Sequence, residues 1–291
     1  HKNAFADSAF MDILFSDKTG TITQGKLSLV EFITGAGKIV SDLDSKEFID
    51  SITVNNLAKV SEGKAIGSNN MDRALLTYAL EHGYKEENSF DKSQVIEVSG
   101  FDSEKKCATA ELKGGVTLWK GATENIIDKV THFVDEDGTE MRFSDTDKKA
   151  VLDKMHEQSC RAMKLLSVAK IEKDKTILQA VLCLRDDVRP DAVNTVKELH
   201  SAGIQVVMVT GDMKETAVAI AQDAGILTGD ANEVILTHEE LEALSDDGLK
   251  EKIPYLRVVS RAKPLDKKRL VNIAQQLGNV CGMTGDGVND A

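Results

Sequence analysis

Three short apolar runs in this chain end in turns that carry carboxylates. Ile13-Leu-Phe15 runs into Asp17, Val206-Val-Met-Val209 into Thr210-Gly211-Asp212, and Val280-Cys-Gly-Met283 into Thr284-Gly-Asp286. A carboxylate held on a strand end can attack a phosphoryl group as a nucleophile and form an aspartyl-phosphate. The transferring phosphoryl is almost entirely negative charge, so it needs a cation, a lysine and hydrogen-bond donors more than it needs a base. The chain offers that set. Asp17 is the candidate nucleophile, and Asp286 and Asp290 would hold magnesium with it. Lys267 would neutralise phosphoryl oxygens, and Thr210 with the amide of Gly211 would donate to the phosphoryl at a helix start. One strand-end Asp alone could equally be a helix cap. Three carboxylate turns converging on one sheet edge argue for a shared ligand.

The elements that would bring them together can be read from periodicity. Short apolar runs bounded by turn residues predict buried parallel strands. Helical patterns follow at Pro190 to His200, with proline in its first turn, at Lys214 to Ala224, where Ala217, Ile220, Ala221 and Ala224 share a face, and at Pro264 to Leu277; Val258-Val259 marks a further strand. Alternating strands and helices predict an α/β doubly wound parallel sheet, with ligands beyond the carboxyl ends of its strands. The gap between Asp17 and Thr210 is far too long for an ordinary crossover, which predicts an inserted domain. The expected division is 1–29 with 184–291 for the parallel-sheet domain and 30–183 for the insertion. The insertion reads as α+β with an antiparallel sheet: a helix around Asp72 to His82, then strands at Val95–Val98, Lys106–Leu112, Val116–Trp119 and Thr131–Phe143 around an Asp-Gly turn.

Composition narrows the function classes. With 291 residues and 41% hydrophobic side chains the chain can build two cores. A net charge of −12 without a Lys/Arg cluster excludes a nucleic-acid binder, so any polyanion must be held locally. Cys107, Cys160, Cys183 and Cys281 form no CxxC pair, which fits a reducing, cytoplasmic compartment rather than a zinc or disulfide framework. No apolar run approaches the roughly 20 residues that span a bilayer. The ends read as those of an excised piece. Gly20 to Lys26 has the spacing of a phosphate-binding P-loop, but Leu27 stands where that loop needs a hydroxyl. Asp135-Glu-Asp137-Gly138 opens like a calcium loop, yet its twelfth position is Thr146, so a hairpin turn is expected. Trp119 and the six isolated histidines read as packing or solvated residues, and Glu172-Lys-Asp-Lys175 as an exposed turn.

Asp17-Lys-Thr-Gly-Thr21, Thr210-Gly-Asp212 and Thr284-Gly-Asp-Gly-Val-Asn-Asp290 together resemble the phosphorylation-domain signatures of P-type cation-transporting ATPases, within the haloacid-dehalogenase superfamily. Asp186-Asp-Val-Arg189 is similar to the family's hinge, Arg261-Ala-Lys-Pro264 with Lys267 to its lysine-bearing segment, and Phe101 to Lys106 and Lys120-Gly121-Ala122 to its nucleotide-domain motifs. The resemblance spans nearly the whole chain. It implies that Asp17 is phosphorylated by ATP with Mg2+, that Thr19 lends its backbone carbonyl to the metal, and that Asn289 and Asp290 support the site. It implies that Phe101 stacks on adenine, that Lys106 and Lys120 contact the nucleotide, and that Arg161 and Arg189 face its phosphates or ribose. Asp212 belongs to the catalytic turn. The membrane and actuator domains of such a pump would lie outside this sequence, on a polypeptide with this segment at the cytoplasmic face of a membrane, and the fragment is expected to be monomeric.

Gly67-Ser-Asn-Asn-Met-Asp72 departs from the family's proline-threonine-glutamate segment, with Asp72 as the stand-in. The Phe101 and Lys120-Gly-Ala122 pattern points to the calcium, sodium-potassium, magnesium and proton branches, with calcium favoured. Two alternatives remain at this stage: a soluble phosphatase of the same superfamily with a large cap, and a noncatalytic nucleotide-binding regulator. The phosphatase reading expects a second carboxylate two residues after the nucleophile, where this chain has Thr19; the regulator reading expects the nucleophile to be lost.

Overall fold

The computed structural model describes residues 11–284. Contacts group the chain into two compact units, His1–Lys26 with Asp186–Ala291 and Leu27–Arg185. The sequence-based edges at 29/30 and 183/184 lie a few residues from these.

Among the described residues, the first unit contains a five-stranded parallel sheet in the order Val234–Thr237, Leu256–Ser260, Gln205–Val209, Ile13–Asp17, Cys281–Thr284. The apolar runs of the interior strands Ile13–Asp17 and Gln205–Val209 are continuous because both faces of the sheet are covered there. Val207 and Val209 point into a cluster with Ile13, Phe15, Leu241, Leu249, Leu270 and Ile273. Val206 and Met208 point into another with Val196, Leu199, Ala217 and Ile220. Helices Pro190–Ser201 and Lys214–Asp223 cover the second face, and His238–Ala243, Asp246–Lys252 and Pro264–Gln276 the first. Successive strand residues face opposite sides, so a strand sandwiched between two helix layers must be apolar at every position. The edge strand Val234–Thr237 and the two short helices after it escape periodicity, being too short to show a period.

In the second unit the antiparallel sheet runs Glu140–Arg142, His132–Val134, Thr176–Val188, Lys164–Ile171, Val116–Gly121, Cys107–Leu112, Val95–Asp102, with Thr23–Ile33 also paired to Thr176–Val188. His132–Val134 and Thr176–Val188 pair in parallel. Helices Lys46–Val54 and Asn70–Glu81 pack Phe48, Ile52, Leu75 and Tyr78 against Leu166, Val168 and Leu182. Val151 of helix Asp145–Cys160 packs with Met163, Val181 and Cys183. The Asp72 helix begins two residues before its expected start because Asn69 caps it, accepting a hydrogen bond from the Asp72 amide at 3.1 Å.

The tempting motifs resolve structurally. Gly20 to Lys26 leads into the strand Thr23–Ile33, whereas a P-loop leads into a helix. Asp135 closes a hairpin, its carboxylate accepting from the amides of Asp137 and Thr139. Glu172 and Lys175 close the turn between two long strands. Trp119 is buried among Ile126, Phe133, Ala169 and Leu178. Among the described residues no helix is long and apolar enough to cross a membrane.

Candidate active site

Asp17 is the last residue of the strand Ile13–Asp17, which lies between Gln205–Val209 and Cys281–Thr284. Its flanking strands bring the Thr210 turn and Thr284 to the same edge: Asp17 is in register with Val209, and Ser16 with Thr284. Immediately after Asp17 the chain turns through Gly20 at φ +76°, a conformation open to glycine at no steric cost. The carboxylate is about one-third exposed, and Lys267 Nζ lies 3.2 Å from its Oδ1. The same ammonium lies 3.5 Å from the Thr284 carbonyl oxygen. Lys267 reaches this point from the first turn of the helix Pro264–Gln276.

The Thr210-Gly211-Asp212 turn is held by its neighbours. The Thr210 amide donates to Val259 O at 3.0 Å, its carbonyl accepts from the Ala262 amide at 2.9 Å, and its hydroxyl oxygen accepts from the Asp212 amide at 3.1 Å. Thr210 is buried. Asp212 does not face the Asp17 carboxylate as a bare acid: its Oδ2 lies 2.5 Å from Lys18 Nζ, and the Lys18 side chain is itself buried. Sequence reasoning passed over Lys18, and its position directly after Asp17 was the available signal. Thr284 Oγ1 donates to Ser16 Oγ at 2.9 Å, tying the third strand end to the first. Asp186, in the hinge-like motif, accepts from the Thr23 hydroxyl at 2.6 Å and from the amides of Gly25 and Lys26, which pins the chain leaving the Asp17 turn.

Of the oxygens expected on magnesium, the Asp17 carboxylate and the exposed Thr19 are described. Both supply hard oxygen donors at an accessible strand end, the donor chemistry of a cation that keeps several of its waters. Asp286, Asn289 and Asp290 lie outside the described residues.

The residues of the second unit expected to contact a nucleotide divide into surface and interior groups. The Phe101 ring is 56% exposed. It sits where the pairing of Val95–Asp102 with Cys107–Leu112 shifts register, on the wall of an open cavity of about 670 Å³ lined by Ser99 to Lys105, Cys107 and Thr109. Lys106 is exposed and takes a left-handed conformation, φ +51°, at the end of a turn in which Asp102 accepts from the amides of Glu104 and Lys105. Gly121 lies under this turn: a Cβ there would fall 2.5 Å from the Lys106 carbonyl oxygen and 2.7 Å from Cys107 Cβ. Glycine at this position is what allows the two strands to approach.

Lys120 and Asp72, by contrast, are both interior and bound to each other, Nζ to Oδ1, at 2.5 Å. The ammonium also donates to the Asn55 carbonyl, and Asp72 Oδ2 accepts from the Leu57 amide at 3.0 Å. Burial pushes the Lys120 ammonium below its ordinary range, with the Asp72 carboxylate opposing the shift. These two residues form a buried pair beneath the sheet surface. Arg161 caps the helix Asp145–Cys160 and meets Glu31 Oε2 at 3.3 Å and Gln158 Oε1 at 3.2 Å. Arg189 belongs to the first unit, where it forms a two-pronged pair with Asp191 at 3.1 and 3.0 Å.

A carboxylate at the carboxyl end of an interior parallel strand, with a lysine on it and two neighbouring strand ends beside it, defines the class. The chain belongs to the haloacid dehalogenase-like hydrolase family, whose family model matches residues 11–291. Within that class it is similar to calcium-transporting ATPases: 31% identical to the plasma membrane-type calcium-transporting ATPase 9 of Arabidopsis thaliana over 95% of this chain and 29% of the relative. Calcium-transporting ATPase 1 of Lactococcus lactis is 30% identical over 96% of this chain and 34% of the relative. A putative plasma membrane-type calcium-transporting ATPase 13 of Arabidopsis thaliana is 28% identical over 96% and 30%. The resemblance to P-type ATPases read from the motifs is thereby borne out along the chain, which spans about a third of the length of these relatives.

Proposed function

We propose that this chain is the phosphorylation and nucleotide-binding segment of an ATP-driven P-type cation pump, with calcium as the transported ion. The observation that carries the reading is the Asp17 carboxylate at its strand end with Lys267 Nζ 3.2 Å away. Asp17 attacks the γ-phosphorus of ATP; the new bond is Asp17 Oδ to phosphorus, and the bond to the bridging oxygen breaks, releasing ADP. Lys267 stabilises the negative charge on the phosphoryl oxygens, and the buried Thr210 turn with the Gly211 amide supplies donors. Asp17, the Thr19 carbonyl and Asp286 would hold Mg2+, which when bound offsets phosphoryl charge. The exposed Phe101 ring offers a stacking face for adenine, with Lys106 beside it. The calcium assignment rests on the named activity of the relatives.

Thr19 sets the lifetime of the phosphoenzyme. A phosphatase of this superfamily uses a carboxylate two residues after the nucleophile to activate water, help worth about 10²–10⁴-fold. A threonine hydroxyl is too weak a base for that, so the acyl phosphate persists until other parts of the pump act on it. The experiment is a pulse of labelled acetyl phosphate with Mg2+. It should leave an acid-stable, hydroxylamine-sensitive label on the chain that decays slowly and is absent from Asp17→Asn. Rapid multiple turnover of a small phosphate ester, lost in Asp17→Asn, would instead identify a phosphatase.

A further inference from the structure

The helix that delivers Lys267 has a weakly anchored start. In its first turn Pro264 and Leu265 are exposed, Leu265 at 77%, and Asp266 is its buried side chain. Asp266 Oδ2 accepts from the Lys263 amide at 2.8 Å, an N-terminal capping contact. A carboxylate is costly to bury unless it is paired and hydrogen-bonded. Here the second partner is His238, whose Nδ1 lies 2.6 Å from the same Oδ2. A carboxylate oxygen accepts, so Nδ1 carries the donated proton. His238 is itself buried, at the start of the helix His238–Ala243, and its Nε2 lies 3.4 Å from Glu242 Oε2. The imidazole therefore ties the strand Val234–Thr237, through the helix that follows it, to the residue preceding Lys267.

We propose that His238 is a positioning residue for Lys267. By pairing with Asp266 it locks the first turn of Pro264–Gln276 and so holds the Lys267 ammonium at Asp17. The proposal rests on the reading of Asp17 and Lys267 as the phosphoryl site, and its test separates the two. Displacement of a reacting group by about 1 Å costs on the order of 10²-fold in rate. His238→Phe, which removes the donor, should thus slow labelling by acetyl phosphate about 10–100-fold. His238→Gln, whose amide can still donate to Asp266, should recover most of that loss; Glu242→Gln, at the exposed end of the imidazole, should change it little.

The direct readout is lysine side-chain 15N NMR of the 291-residue chain without phosphate or metal, with the Lys267 resonance assigned by Lys267→Arg. In the parent chain this resonance should shift on Asp17→Asn. In His238→Phe it should already be displaced and should no longer respond to Asp17→Asn, while Lys197, on another helix, stays in place. His238→Leu substitutes if the phenyl ring is not accommodated. A folded His238→Phe or His238→Leu chain whose Lys267 resonance keeps its parent position and its response to Asp17→Asn overturns the proposal. Loss of that response in the variant, with no label forming on the parent chain, upholds the positioning role and removes the phosphoryl-transfer reading alone.

Discussion

Removing the Lys120 ammonium should destabilise the Leu27–Arg185 unit far more than an ordinary lysine substitution would. In Lys120→Met, Asp72 keeps only the Leu57 amide at 3.0 Å as a partner while its side chain remains 8% exposed. Breaking a buried ion pair from one side costs about 3–5 kcal/mol, because the remaining charge is left uncompensated. Replacing both partners behaves differently. In Lys120→Met/Asp72→Leu the Asn55 carbonyl and the Leu57 amide lose their partners, at about 1–3 kcal/mol each. Against this, exchanging a buried pair for apolar side chains of similar volume is often neutral or favourable by about 1–4 kcal/mol. The double variant should therefore be more stable than the single Lys120→Met, with a large favourable coupling between the two native residues in the cycle. The assay is built into the chain: its single tryptophan, Trp119, is buried in this unit beside Lys120, so urea unfolding followed by tryptophan fluorescence reports this unit within the intact protein. A loss below about 1 kcal/mol in Lys120→Met, or a double variant as unstable as the sum of the singles, would refute the description of Lys120 as a buried paired charge.

Phe101→Ala should weaken ATP binding by about 1–3 kcal/mol, the scale for losing one stacked base, without lowering the unfolding midpoint; calorimetric titration and the Trp119 transition check both. Gly121→Ala places a Cβ 2.5 Å from backbone at Lys106, so it should destabilise the same unit by about 1–3 kcal/mol and disturb the turn beside Phe101, read by amide shifts of residues 101–107. The Tyr78 hydroxyl is buried against Leu43, and burial pushes it up to about 12. The folded state then holds a proton that the unfolded chain releases near pH 10. Tyr78 accordingly contributes stability below about pH 10 that is lost between about pH 10 and 12. Urea midpoints of the parent and Tyr78→Phe chains should differ in slope across that window.

Local pattern alone made much of this molecule legible. The apolar runs before Asp17 and Thr210 are strands because a strand covered on both faces needs apolar residues throughout, whereas the run before Thr284 pairs only with Ile13–Asp17 among the described residues and leaves Met283 about half exposed. Pro264 opens a helix because it needs no amide partner there, and Asp135-Glu-Asp137-Gly138 is a hairpin turn rather than a calcium loop. The strand-end chemistry of Asp17 and its lysine could be read from residue types. Other features were open until the chain closed on itself. Nothing local specifies that Ile13–Asp17 lies between strands some 190 and 270 residues away, since strand partners are chosen by long-range packing. The strands Lys164–Ile171 and Thr176–Val188 went unread because a buried apolar run carries no period that separates strand from helix. The motifs mark Lys267 for a phosphoryl group and Lys120 for a nucleotide and pass over Lys18, but which carboxylate each lysine meets is not in the sequence. Tertiary burial decides it: Lys18 goes to Asp212 and Lys120 to Asp72, inside the protein, while Lys267 reaches the accessible carboxylate of Asp17. A charged side chain takes its role from the solvent it loses and the partner it gains, and both depend on how distant segments pack.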